Sequence, residues 1–207
     1  GLWNLYQLAN ALYPLIEEAK GLEAVLEEYR DAYTVKYLHM MRRKLGLFTD
    51  VASDPLLIQD LEEILHATET DMTIFFRNLS NFKKGFSKQG VKIVHDAFYS
   101  PGEVSGAIEK GWNEWFDRYA ARLAKEAATD RERKVKMDSI NPKYVLRNYM
   151  AQLAIDDANK GDYGLIDEIF NLLKEPYAEQ KDNEKWFVKR PEWARHKVGC
   201  SMLSCSS

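Results

Sequence analysis

Two cysteines near the end of the sequence are the residues best suited to chemistry of their own. Cys200 and Cys205 are separated by four residues, a spacing that could close a small disulfide but matches neither thioredoxin-type sites nor zinc knuckles. Free cysteine usually fills a core, whereas the last residues of a domain are usually accessible. Cys205 is therefore a candidate redox thiol and Cys200 a second one, with two incidental thiols in a docked tail as the alternative.

Other chemically capable residues are not grouped. The four histidines lie far apart in the sequence, at His39, His66, His95 and His196. None stands at metal-ligand spacing from a cysteine or carboxylate. The acidic pairs Glu62–Glu63 and Asp156–Asp157 are adjacent on predicted helices, where neighbours point in different directions. The pattern therefore predicts no catalytic, cofactor-binding or metal-binding residues within this sequence.

Two short basic runs are the strongest local concentrations of charge. Arg42–Lys44 and Lys83–Lys84 are expected to be solvated helix ends or faces, with a phosphate or acidic-partner contact as the alternative. Gly85 and Gly90 lie five residues apart beside the second run, without the strand-to-helix context of a phosphate loop. An anion site at these glycines is therefore only the alternative to a solvated surface.

Composition describes an ordinary globular protein. The 207 residues are 45% hydrophobic and 29% charged with a net charge of -3, which suits one domain, or one and a half, with a substantial core. No basic footprint for nucleic acid is visible, so we expect no nucleic-acid partner. Two cysteines argue against a secreted disulfide scaffold and favour a reducing or mitochondrial compartment.

The opening segment resembles neither a signal peptide nor a membrane anchor. Gly1–Ile16 is too short to span a bilayer and lacks a basic n-region, so we expect no membrane partner. Because the chain starts with glycine and opens directly with an apolar helical pattern, we interpret it as a piece of a longer protein.

Helical spacing dominates the first half of the sequence. Apolar residues over 2–13 predict a mostly buried helix that Pro14 interrupts. A long amphipathic helix is expected from Gly21, with Gly46 as its C-terminal cap. Asp54 is expected to cap a third helix with Pro55 at its first position, ending at His66.

The second half continues the pattern. Thr70 or Asp71 is expected to cap a fourth helix. Residues 80–100 show no pattern that decides between helix and loop. Glu103–Ala128 is predicted as a helix. Its apolar residues predict a core-facing aromatic stripe, comprising Ile108, Trp112, Trp115, Phe116, Tyr119 and Leu123. Asp130–Lys136 is predicted as a solvated turn or short helix.

The last predicted helices complete an all-α class. Asn141 and Pro142 are expected to begin a helix that stops at Gly161, and Leu165–Lys174 a last one. We expect residues 1–175 to form the helical region and residues 176–207 an irregular tail.

Several segments then resemble the selenoprotein O family, in the same order. The longest is Asn141–Tyr149, accompanied by Gly1–Leu5, Met41–Leu47 and Arg190–Ala194. The family ends in selenocysteine or cysteine followed by two serines, and Cys205–Ser207 is similar to that ending. The sequence thus resembles a cysteine-type member.

The resemblance implies a protein-kinase-like fold that uses ATP and Mg²⁺ to transfer AMP to Ser, Thr or Tyr of proteins. The family's catalytic residues lie upstream of the region resembling Gly1–Leu5, so this chain would be its helical C-terminal part. Its partners would be the rest of that domain, with Trp3, Leu5 and Leu8 packing against it, and the protein substrates.

The resemblance also implies redox control through Cys205, which would pair with an upstream cysteine; a Cys200–Cys205 bridge competes with that pairing. The resemblance further implies a mitochondrial location for a eukaryotic member and a cytosolic one for a bacterial member. A free-standing helical interaction module without catalysis is the alternative function.

Overall fold

The computed structural model describes residues 1–197 and residue 200. The architecture is all-α, as predicted, and the described residues contain no β-strand beyond an isolated bridge between Thr70 and Phe98. The helices are α1 (Leu2–Ile16), α2 (Ala19–Lys44), α3 (Asp54–Ala67), α4 (Met72–Leu79), α5 (Gly90–Val94), α6 (Gly106–Leu123), α7 (Asp130–Asp138), α8 (Asn148–Ala158) and α9 (Gly164–Lys174). Short 3₁₀ turns lie at 87–89, 95–97, 101–103, 181–186 and 192–195. No helix in the described ranges has the length and apolarity needed to cross a bilayer.

Helix α1 packs mainly on α2 and has no buried residue. The expectation of a mostly buried helix is wrong for this chain, since Trp3 is 70% and Leu15 is 83% exposed. Pro14 lies inside the helix rather than ending it, and Glu17 ends it in a left-handed conformation with φ 54°. A wide apolar surface on α1 therefore faces away from the rest of the chain.

The end of α2 is held by a glycine, as predicted. Gly46 has φ +71°, a conformation that favours glycine. A Cβ there would also come within 2.7 Å of the Met137 sulfur and 2.9 Å of Arg133 Cγ. The glycine thus lets α2 turn and lets α7 approach the turn closely.

The larger core surrounds the aromatic stripe of α6, which confirms that prediction. The rings of Trp115 and Tyr119 stack with centroids 4.9 Å apart, and Trp112 and Phe116 are fully buried. Burying such a side chain typically contributes about 1.5–3 kcal/mol. Helices α3, α4 and α5 cover this stripe. A Cβ on Gly90 would lie 2.1 Å from the Phe116 ring, so this glycine has a packing role.

Two predicted helix beginnings are corrected. Ser53 precedes α3 as its N-cap, while Asp54 is inside the first turn and fully buried among arginines. Residues 141–147 are not helical, and α8 begins only at Asn148. The Asn–Pro pair thus marks an extended connection rather than a helix start, because the N–H groups of the next two residues donate to the distant carbonyl of Pro176.

The charged run at 130–136 forms α7, and its capping box joins Thr129 to Glu132. The prediction of a fully solvated segment is wrong at Arg133, whose side chain is completely buried and donates to the carbonyl of Phe82. Helix α7 therefore closes one side of the larger core.

A second, smaller core lies between α8, α9 and the terminal segment. Its buried members are Tyr144, Tyr149, Met150, Ala154, Ile169, Leu172, Ala194 and Cys200. Phe187 packs against both cores. Residues 177–197 and residue 200 thus cover α8 and α9 with 3₁₀ turns and irregular chain.

Candidate functional site

The segment from Asn141 to Tyr149 is an extended connector between the two cores. The backbone N–H groups of Lys143 and Tyr144 both donate to the carbonyl of Pro176, at 2.8 and 3.0 Å. The Tyr144 hydroxyl donates to the carbonyl of Gln180 at 3.1 Å. Pairing with residues 176–180 satisfies the backbone here, which explains why the helix begins later.

Lys143 lies at the centre of an ion-pair network. Its ammonium donates to Glu179 at 2.6 Å and to Glu184 at 2.5 Å, while Arg77 donates to Glu179 at 2.7 Å. Burial alone would lower the pKa of Lys143, but these carboxylates outweigh it and raise that pKa. Burial would raise the pKa of Glu179, yet Lys143 and Arg77 lower it to about 2. The network fixes the 179–184 segment to the connector.

Asn141 ties the connector to the end of α2. Its side-chain amide donates to the carbonyl of Lys44 at 2.9 Å, and its own carbonyl accepts from Arg77 at 3.1 Å. Arg77 also donates to the carbonyls of Asp138 and Tyr177. One buried arginine therefore holds α7, the connector and the terminal segment together.

Arg147 forms a bidentate ion pair with the N-cap of α4. Its two terminal nitrogens lie 2.5 and 2.9 Å from the carboxylate oxygens of Asp71. Burial would lower the pKa of Arg147, but Asp71 raises it. Tyr99 lies beside the pair, and burial, followed by the Asp71 charge, raises its pKa. These residues line a cleft of about 450 Å³ that Arg190 also borders.

The two candidate redox residues have different outcomes. Cys200 is a buried free thiol in the smaller core, and its carbonyl accepts from the Asn148 amide at 3.3 Å. Cys205 lies outside the described residues. Asn148 belongs to the motif segment, so that segment positions the backbone at Cys200.

The histidines and acidic pairs do not form a metal site. Across residues 1–197 and 200, no three His, Cys, Asp or Glu side chains are grouped to hold a metal ion. His39, His66, His95 and His196 are exposed. Asp156 pairs with Lys197, and Asp157 pairs with Lys160.

The basic runs are partly internal. Arg42 pairs with the buried Asp54 at 3.1 Å, and the Lys44 ammonium lies 4.3 Å from the centre of the Phe76 ring. Burial lowers the pKa of Lys44. The Lys84 ammonium donates to two backbone carbonyls, at Glu126 and Ala128. The expectation of solvated faces is thus wrong for these three side chains.

Sequence reasoning missed the most buried charge cluster. Arg122 of α6 donates to Asp54 at 2.5 and 3.2 Å and to Glu126 at 2.9 Å. Burial would raise the pKa of Asp54, but Arg122 and then Arg42 lower it. A charged residue on the otherwise apolar face of α6 was the available signal, since buried charges need partners. This cluster is structural, because it joins α2, α3 and α6.

Comparisons with known proteins place the chain in a class. Residues 1–174 match the family described as Protein adenylyltransferase SelO. The chain is 57% identical over 206 residues to protein nucleotidyltransferase YdiU of Flavobacterium johnsoniae, and 41% identical over 217 residues to that of Rhodopirellula baltica. Each alignment covers 99% of this chain. The class is that of nucleotidyltransferases.

The chain belongs to the SelO family of protein adenylyltransferases. This confirms the resemblance carried by the Asn141–Tyr149 motif and the segments around it. The chain spans about 40% of the length of the curated relatives it matches. More than half of each relative therefore has no counterpart here.

Proposed function

We propose that this chain is the helical C-terminal part of a protein adenylyltransferase that transfers AMP from ATP to Ser, Thr or Tyr hydroxyls of proteins. The match of residues 1–174 to the adenylyltransferase family carries this proposal. Both relatives are named as protein nucleotidyltransferases, which supports nucleotidyl transfer, and the whole protein is proposed to have a protein-kinase-like fold.

The chemistry requires groups that the described residues do not bring together. A substrate hydroxyl oxygen attacks the α-phosphorus of ATP, the bond to pyrophosphate breaks, and the hydroxyl proton is released. Such transfers depend on bound Mg²⁺ and on positioned charged residues. The described part of this chain groups no three His, Cys, Asp or Glu side chains around a possible metal position, and the family's catalytic residues lie upstream of the segment that resembles Gly1–Leu5. We therefore assign those residues to the portion of the protein that the relatives have and this chain lacks.

The chain's own role is proposed to be packing against that portion. Trp3 and Leu8 are 70% and 54% exposed on α1, whereas Leu5 is half-buried toward α2. Monomeric proteins rarely expose a contiguous apolar face of this kind. We assign Trp3 and Leu8 to contacts with the rest of the protein, and Leu5 to contacts with both α2 and the rest of the protein.

Two radiolabels test the activity. The full-length protein should transfer label from α-³²P-ATP, but not from γ-³²P-ATP, to protein substrates, because AMP retains only the α-phosphate. Residues 1–207 alone should transfer neither label. AMP transfer by the isolated chain would show that an active site lies within it, and γ-label transfer by the full protein would indicate a kinase instead.

Redox control through the terminal cysteine is a second part of the proposal. Two thiols would lose two electrons and two protons to a disulfide oxidant such as oxidised glutathione. Cys205 would pair with a cysteine elsewhere in the protein or with Cys200. Mass mapping of disulfides in the oxidised full-length protein separates these pairings, and finding only free thiols would contradict both.

The compartment is proposed to follow the host, mitochondrial in a eukaryote and cytoplasmic in a bacterium.

The competing function, a free-standing helical interaction module, predicts that the isolated chain is monomeric and unfolds cooperatively. The packing role predicts instead that it self-associates through α1. Sedimentation of residues 1–207, with and without Trp3→Ser, distinguishes the two.

A further inference from the structure

The described end of the chain, residues 185–197 with Cys200, forms a strap across the helices. It contributes few fully buried side chains, chiefly Ala194 and Cys200, whereas Trp193 is 44% exposed. Trp186 and Phe187 pack against the cores at its beginning, whereas from residue 188 onward little apolar burial holds it, so polar attachments there decide how firmly it stays closed.

The strap is attached to the rest of the chain at its beginning, its middle and its end, and the Lys189 ammonium adds a hydrogen bond to the carbonyl of Phe98 at 2.5 Å. At its beginning, Lys185 and Trp186 both donate to Glu168 of α9, at 2.6 and 2.7 Å. At its end, Lys197 lies 2.5 Å from Asp156 of α8. The Asn148 amide then holds the carbonyl of Cys200. Each of these outer attachments uses one carboxylate or amide group on α8 or α9.

The middle attachment concentrates two arginines on one carboxylate. Arg190 and Arg195 reach the two oxygens of Glu69 at 3.1 and 2.7 Å. Their guanidinium carbons lie 5.5 and 5.1 Å from the centre of the Tyr99 ring, and the Tyr99 hydroxyl accepts from the backbone N–H of Arg190. Loss of the Glu69 charge therefore weakens two strap contacts at once.

We propose that Glu69 is the latch of a releasable strap, and that opening of this strap exposes Cys200 and the face of the smaller core beneath it. Cys200 follows Lys197 by three residues and is 2% exposed in the smaller core, so movement of this segment away from α8 and α9 would uncover its thiol. The partly exposed ion pairs of Glu69 are weak individually, so local opening precedes global unfolding. The proposal concerns the strap alone and stands whether or not the terminal thiol is a redox group.

Thiol labelling of Cys200 measures the opening. The full-length protein is prepared with Cys205→Ser, because cleavage after Lys197 leaves both cysteines in one peptide. Modification of that peptide by a maleimide is followed by mass spectrometry. Glu69→Ala should raise the Cys200 labelling rate by about 2- to 30-fold, as expected for loss of two partly exposed ion pairs when labelling follows the open population.

Glu192→Ala is the matched control for Glu69→Ala. Glu192 also pairs with Arg195, at 2.9 Å, but it lies within the strap itself. Glu192→Ala should leave the labelling rate unchanged, because it removes no attachment to the helices. Equal rates in Glu69→Ala and the parent protein, or an equal increase in Glu192→Ala, would overturn the latch.

Salt provides an independent measurement. Raising NaCl to 0.5 M should speed Cys200 labelling in the parent protein, since exposed charge pairs are screened. The acceleration should be smaller in Glu69→Ala, which has already lost two of the pairs. An equal salt response in both proteins would contradict the proposal even if Glu69→Ala altered the basal rate.

Discussion

Arg147 and Asp71 form a two-point contact that joins the connector to the start of α4. Asp71 also accepts a hydrogen bond from the backbone N–H of Ile74 at 3.1 Å, so one carboxylate caps a helix and neutralises a largely buried arginine. Removal of one partner from such a pair leaves the other charge unpaired. The contact is therefore expected to be among the most sensitive in the chain.

Asp71→Ala should destabilise the protein by about 3–5 kcal/mol, because the cap is lost and the Arg147 charge is left without its partner. Urea denaturation followed by circular dichroism measures this change. Asp96→Ala is the matched control, since Asp96 is exposed, and should stay within about 0.5 kcal/mol. Similar costs for both variants would contradict the role of the ion pair.

Trp112→Ala should cost about 3–5 kcal/mol, because this ring is fully buried in the aromatic stripe. In residues 1–207, diluted until they are monomeric, Trp3→Ala should change the free energy of unfolding by less than about 0.5 kcal/mol. In the full-length protein, Trp3→Ala should be clearly destabilising if α1 packs against the remainder. An unchanged full-length stability would contradict the proposed packing role.

Gly90→Ala should destabilise the protein by about 1–3 kcal/mol, because the added methyl group would overlap the Phe116 ring. Gly102→Ala is the control, since a Cβ there meets nothing within 4 Å. Thermal denaturation of the two variants compares the effects. A neutral Gly90→Ala would show that the ring can move aside at little cost.

Acid should weaken the terminal segment through Glu179. Because the folded pKa of Glu179 is lowered from 4.5 to about 2, its ionised form stabilises the fold above pH 4.5, and this contribution is lost as pH falls through about 2. Glu179→Gln should therefore lower the urea midpoint at pH 6 and should show a smaller decline between pH 4.5 and pH 2. Its carboxylate is 61% exposed, so solvent screening keeps the difference modest. Parallel pH profiles for the two proteins would contradict this role.

Sequence periodicity was sufficient to predict the helices whose apolar residues recur at helical spacing. The stripe from Trp112 to Leu123 predicted its own burial, because apolar residues at three and four positions share one helix face. Asp71 and Gly46 predicted helix ends through local chemistry, a carboxylate accepting from a backbone N–H and a residue tolerant of positive φ. The family also followed from sequence, because its motifs are long and ordered.

Tertiary structure decided what depends on distant segments. The Asn141–Pro142 pair has the local signature of a helix start, yet the carbonyl of Pro176 takes the backbone N–H groups that follow it. Arg133 and Asp54 belong to locally polar stretches and are buried because partners from other elements surround them. The sequence left the role of the Cys200 thiol open, whereas the fold buries it in the smaller core, at the end of a segment whose arginines pair with Glu69, 131 positions earlier. Local sequence encodes backbone preference, but only the assembled chain determines which charges meet.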